Sequence, residues 1–85
     1  MRCVIRTRDG EVMYESDYNS LTEWARSGEL AGAYLSEANF ERADLSGADL
    51  SGAKVVGTNL KYSDLSGANL SGVRLSDAVL CDGDE

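Results

Sequence analysis

The chain has no histidine, one tryptophan, one phenylalanine and two cysteines in 85 residues. Without histidine, the commonest acid–base group and metal ligand is missing. Cys3 and Cys81 lie near opposite ends of the sequence with no paired spacing, which excludes a disulfide framework and a zinc pattern. Both are expected as thiols in a reducing compartment. Positive charge is also scarce. Eight Lys+Arg against fifteen Asp+Glu leave a formal charge of −7, so neither direct nucleic-acid binding nor attachment to an anionic membrane is expected. No apolar run approaches the roughly 18 residues of a spanning helix, and no apolar signal segment follows Met1, so a cytoplasmic location is expected. A chain of this length is expected to form a single domain over 1–85, which excludes a multi-domain enzyme.

What is present in quantity is a period. Nine of the ten leucines fall at every fifth position: Leu30, Leu35, Leu45, Leu50, Leu60, Leu65, Leu70, Leu75 and Leu80, with Phe40 and Val55 filling the gaps. Two residues before each centre the side chain is small or compact, most often alanine (Ala33, Ala38, Ala43, Ala48, Ala53, Ala68, Ala78). Asp or Asn usually precedes the centre, Ser often follows it, and Gly often closes the unit. Eleven such units run from Gly28 to Asp82.

A period of five suits neither regular element. On a helix, successive centres would rotate by about 140° and leave no apolar stripe. On one strand, residues five apart point to opposite faces. Two inward positions in every unit require a bend per unit, so the chain must coil, with Ala and Leu inside and the Asp, Ser and Gly at the corners.

The stretch A-D-L-S-G-A-D-L-S-G-A (Ala43 to Ala53) and its echo S-D-L-S-G-A-N-L-S-G (Ser63 to Gly72) resemble the pentapeptide-repeat proteins. The resemblance covers residues 28–82. It implies an all-β fold, a right-handed quadrilateral β-helix with four units per coil and about 2.75 coils, in a protein of bacterial or phage-like origin. Some longer relatives mimic double-stranded DNA and bind DNA gyrase, which implies, as an alternative, an acidic DNA mimic bound to a type II topoisomerase. This chain is shorter than those relatives, and its register has no projecting loops.

Residues 1–19 are expected to form a β-hairpin and turn. Asp9-Gly10 signals a two-residue turn that sets Ile5 against Tyr14, Val4 against Glu15, Thr7 against Val12 and Arg8 against Glu11. Ser20-Leu21-Thr22-Glu23 reads as a capping box for a short helix over 20–27, with Leu21 and Trp24 lidding the first coil. Trp24 is read as packing rather than as a stacking platform for a ligand. After Leu80 only an acidic tail follows, 83–85. The face made by Leu70, Leu75, Leu80 and Cys81 is therefore expected to lack cover and to pair with a second copy, giving a homodimer through the C-terminal coil.

With four units per coil, residues twenty apart stack. Glu29 then lies with Asp49, and Asp44 with Asp64, as an acidic edge that is the candidate binding site for an unidentified protein partner. Tyr34, Lys54 and Arg74 form a basic-aromatic ladder. A filled coil has no cleft, and no nucleophile–base pair or phosphate-cradling loop is present. The expectation is thus a non-enzymatic scaffold or protein-binding module with no catalytic residues, no cofactor and no metal site.

Overall fold

The computed structural model describes residues 2–80. It opens with an antiparallel pair, β1 (Cys3–Arg6) and β2 (Val12–Ser16). Val4 faces Glu15 and Ile5 faces Tyr14, as the alternation predicts, but the register slips between Ile5 and Arg6, and Arg6 faces Val12. The two-residue turn, with Thr7 against Val12 and Arg8 against Glu11, does not form. Thr7 is the cause. Its N–H donates to the Glu11 carbonyl (2.7 Å), its carbonyl accepts from the Gly10 N–H (2.9 Å), and its Oγ1 accepts from the N–H groups of Asp9 and Glu11. The loop is Arg8 to Gly10, closed by Gly10 at φ 94°, as in three-residue hairpin loops that end on a left-handed residue.

One helix follows, α1 (Leu21–Arg26). Ser20, extended at φ −157°, accepts the Glu23 N–H on its side chain at 3.2 Å. Six residues are too few for a helix to persist alone. Packing holds this one: Trp24 and Ala25 are buried, Leu21 is half-buried, and Tyr18 stacks on Trp24 with ring centroids 5.9 Å apart.

From Gly28 to Ala78 each described unit is a turn. The carbonyl of the central residue accepts the N–H three residues later, as in Leu35–Ala38, Phe40–Ala43, Leu45–Ala48 and Leu50–Ala53. The third residue of the turn has positive φ, for example Gly47 at 71° and Gly52 at 72°, which is what a type II turn requires there and why glycine recurs. Parallel bridges join residues twenty apart: Tyr34–Lys54, Asn39–Asn59, Asp44–Asp64, Asp49–Asn69 and Asn59–Val79. Four turns therefore complete one circuit. The straight segments between corners are too short to count as strands. Among the described residues the hairpin is the one named sheet, so the coil is a stack of isolated bridges rather than a closed sheet.

The inward set is the one that the period marks. Leu30, Leu35, Phe40, Leu45, Leu50, Val55 and Leu60 are buried, with Ala38, Ala48, Ala53 and Thr58 beside them. Ile5, Trp24 and Ala25 extend this core into the N-terminal segment. Thr58 is tolerated inside because its hydroxyl donates to the Leu35 carbonyl at 2.6 Å.

The N-terminal segment also meets the hydrogen-bonding needs of the first circuit. Arg8 N–H donates to Glu37, Asn39 N–H donates to Arg6, the Tyr14 hydroxyl donates to the Tyr34 carbonyl (2.7 Å), and the Thr22 hydroxyl donates to that of Asp44 (2.6 Å). Arg26 donates to the Ser46 carbonyl through Nε (2.7 Å) and to its hydroxyl through Nη2 (2.9 Å).

Two stacking expectations fail. Glu29 does not bridge Asp49, whose N–H donates to the Ala25 carbonyl (2.9 Å), because the end of α1 takes the place that the first unit would fill. Arg74 does not continue the Tyr34–Lys54 row. Its unit closes on Asp77, which avoids positive φ, and Leu75–Asp77 form a 3-10 turn instead. The bonds that would join Val55 N–H and Ala53 C=O to Arg74 are absent, while Gly52–Ser71 and Gly57–Asp77 on either side are made.

Candidate functional site

On the acidic edge the repeat places Asp44 and Asp64 one above the other, joined by a parallel bridge. Asp49 lies on the next side, bridged to Asn69, and Glu29 is exposed before it. Each of the three aspartates bends back into its own corner. Asp44 Oδ1 accepts the Ser46 N–H (3.1 Å) and the Ser46 hydroxyl (2.6 Å). Asp49 accepts both from Ser51 (3.2 and 2.8 Å), and Asp64 accepts both from Ser66. Asn39, Asn59 and Asn69 accept the corresponding N–H of Glu41, Lys61 and Ser71. This is the Asx-turn chemistry that selects Asp or Asn at the position.

The Ser46 hydroxyl and N–H hold the Asp44 carboxyl below its usual range, and Ser66 does the same for Asp64, opposed in part by the neighbouring Asp44 charge. Asp44 and Asp64 are therefore ionised, and the serine bonds fix all three aspartates in orientation. No group of three or more Cys, Asp or Glu among the described residues could hold a metal ion.

At the far end of the coil, Leu65, Leu70 and Leu75 are half-buried and Leu80 is 41% exposed, against 4% for Leu60. Cys81 lies outside the described residues. At the near end Leu21 packs on the core and Trp24 is 3% exposed, its indole N–H buried without an acceptor. Cys3 is a half-buried free thiol packed against the same cluster.

Lys54 lies over the Tyr34 ring at 5.9 Å, the first step of the expected basic-aromatic ladder. A further set of residues was not singled out by the sequence: Arg42 lies over the Tyr62 ring at 4.8 Å. Glu37, Arg42 and Tyr62 take φ of 68°, 62° and 61° at corners where six other units use glycine. A side chain there costs about 1–2 kcal/mol of backbone strain. Glu37 approaches Arg8 at 3.8 Å across the cap. The signal was available in the sequence: the glycine that closes a unit is replaced at these three positions by a large side chain.

No described helix is long and apolar enough to cross a membrane. No curated protein and no solved structure is significantly similar to the chain. The family model for pentapeptide repeats matches residues 29–61 and 58–83, with eight copies. That family implies a right-handed β-helix and, in general, a protein-interaction scaffold. The matched residues are the ones whose turns, twenty-residue bridges and inward leucines build the coil, and the chain belongs to the pentapeptide-repeat family.

Proposed function

We propose that the chain is a non-enzymatic scaffold that binds another protein through the outer faces of its coil. The observation that carries this reading is the filled interior. From Leu30 to Leu60 every central side chain is buried, so outward side chains at fixed spacing are what the coil offers to a partner. The finer geometry we propose is a quadrilateral coil of about 2.75 circuits, supported by the bridges at intervals of twenty residues. Asp44, Asp49 and Asp64 are the candidate contact, with Glu29 beside them. The test is capture from a lysate by the chain and by the variant Asp44→Asn, Asp49→Asn, Asp64→Asn, which keeps the turn acceptors and removes the charge. A protein captured by the former and lost by the latter supports the acidic edge; equal capture overturns it.

The stacked Asp44–Asp64 pair also supports an alternative, an acidic mimic of double-stranded DNA that occupies a type II topoisomerase. Protection of gyrase supercoiling from a quinolone at stoichiometric excess would support that alternative, and no protection would remove it. A second reading concerns the C-terminal end. The half-buried Leu65, Leu70 and Leu75 with the exposed Leu80 favour a homodimer through this face. Light scattering on a sizing column reads 18 kDa for that dimer, twice the 9.1 kDa chain, and a 9.1 kDa species at micromolar concentration overturns it.

A further inference from the structure

The coil has two unlike sides. Residues 43–52 and 63–72 contain Asp, Asn, Ser, Gly, Ala and Leu and no cation. All four basic residues of the repeats, Arg42, Lys54, Lys61 and Arg74, fall in the alternate ten-residue blocks, 33–42, 53–62 and 73–82. Because four units make one circuit, those blocks stack into one pair of adjoining sides. The same two sides carry Tyr34 (69% exposed), Val56 (55%) and Tyr62 (58%), both cation–π pairs, and the three non-glycine residues at positive φ. Arg8 of the cap adds a fifth cation by donating to the Gly57 carbonyl at 3.2 Å. Against these five stand three described acids, Glu37, Glu41 and Asp77.

The gap in the last row opens on this surface. A pocket of about 110 Å³ lies beside it, lined by Ala53, Val55 and Val56 and by Lys54, Arg74 and Asp77. That is on the scale of the ~150 Å³ cavity that accepts a benzene ring, and so of one short apolar side chain. Val55 N–H and Ala53 C=O flank Lys54 and make no hydrogen bond among the described residues. Both belong to buried residues, and the Gly52–Ser71 and Gly57–Asp77 bonds hold the next circuit across them, so they line the pocket as unpaired polar groups rather than offering a free strand edge.

We infer that the side bearing Tyr34, Lys54, Val56 and Arg74 is a docking surface for an extended acidic segment of another protein, with an apolar side chain seated in the pocket beside Val55. The inference rests on reading the coil as a protein-binding scaffold, but it places the contact opposite Asp44 and Asp64 and next to the side of Asp49. Charge selects the occupant: carboxylates meet Lys54, and Arg74 where it is drawn from its 3.6 Å ion pair with Asp77, on a molecule that elsewhere repels them. Exposed Tyr and Arg are favoured at protein interfaces, whereas Asp and Ser, which make up the other sides, are depleted there.

The probe is an acetylated, amidated (Glu-Val)4 peptide titrated into the isotope-labelled full chain, with (Gln-Val)4 as the neutral control. Amide shifts should concentrate at Tyr34, Lys54 to Val56 and Arg74. The double reversal Lys54→Glu, Arg74→Glu should weaken binding at least tenfold while the Leu45 and Leu50 methyl signals stay in place, and raising the salt should weaken it further. Equal binding of (Gln-Val)4, no shifts at millimolar peptide, or shifts that map to the hairpin overturns the proposal. So does concentration-dependent self-association that pairs this side with Asp44 and Asp64 of a second copy. If the peptide does not bind but a protein is still captured through the acidic edge, this site falls and the scaffold stands. If the peptide binds but no protein is captured, the site stands and the scaffold reading of the acidic edge falls.

Discussion

The two ends of the coil are built from the same repeat and finished in opposite ways. At the N-terminal end the hairpin and α1 bring Ile5, Trp24 and Ala25 onto the core and supply donors to the carbonyls of Tyr34, Glu37, Asp44 and Ser46. At the C-terminal end the last leucines are half-covered, and the row beneath Lys54 is broken. Apolar filling is common to both ends. What distinguishes them is whether the outward-pointing backbone groups of the terminal circuit find partners, the requirement that any exposed strand edge imposes.

The largest test of that contrast is truncation at each end. Trp24→Ala should destabilise the chain by about 3–5 kcal/mol, and Leu80→Ala by about 0.5 kcal/mol, read from urea unfolding. Comparable losses at the two sites would mean that something covers the far end in solution. Removing the helix cap is a smaller perturbation of the closed end. Ser20→Ala should cost about 1 kcal/mol through loss of the Glu23 N–H bond, with Ser20→Gly milder.

A change at the open end should make it resemble the rest of the coil. Asp77→Gly supplies the residue that tolerates positive φ, so the 3-10 turn should revert to the repeat corner and Val55 N–H should find its acceptor. Hydrogen exchange at Val55 should slow about tenfold. Stability should rise by less than about 1 kcal/mol, because one hydrogen bond is offset by the entropy of glycine. Unchanged exchange at Val55 would place the cause of the broken row elsewhere.

The smallest effect concerns acid. Asp44 and Asp64 titrate lower in the folded chain than the ordinary 3.8, so the unfolded chain binds protons first as pH falls. Their contribution is present above that ordinary value and is lost as the pH drops through the folded values. Acid unfolding followed by circular dichroism should move to lower pH in the double variant Asp44→Asn, Asp64→Asn, which keeps the acceptor at each corner. An unmoved midpoint would separate these carboxylates from the acid response.

Much of the coil was legible. The five-residue spacing marks Leu35, Leu45 and Leu50 as interior because no helix or strand can face them the same way. Asp44-Leu45-Ser46-Gly47 encodes its own corner, since the aspartate, the serine N–H and the glycine lie within four residues of one another. The acidic edge was legible as a stack at Asp44 and Asp64 but not at Glu29, whose place in the ladder is taken by the end of a helix. Arg42 and Tyr62 are twenty residues apart and stack by the same rule; what the period does not show is that both corners take positive φ and set the guanidinium over the ring.

Local chemistry and the period thus belong to the sequence: which side chains turn inward, where the corners fall, and why Asp, Asn, Ser and Gly occupy them. The tertiary structure decided how the coil is finished. Thr7 shifts the hairpin loop, Arg8 reaches a carbonyl 49 residues away at Gly57, Ala25 replaces the first unit as the acceptor for Asp49, and Asp77 breaks the last row. The Arg8–Gly57 and Asp49–Ala25 bonds join partners far apart in the chain, while Thr7 and Asp77 act through local bonds that outcompete the expected ones; in every case a backbone group pairs with whichever donor or acceptor the folded geometry brings within about 3 Å.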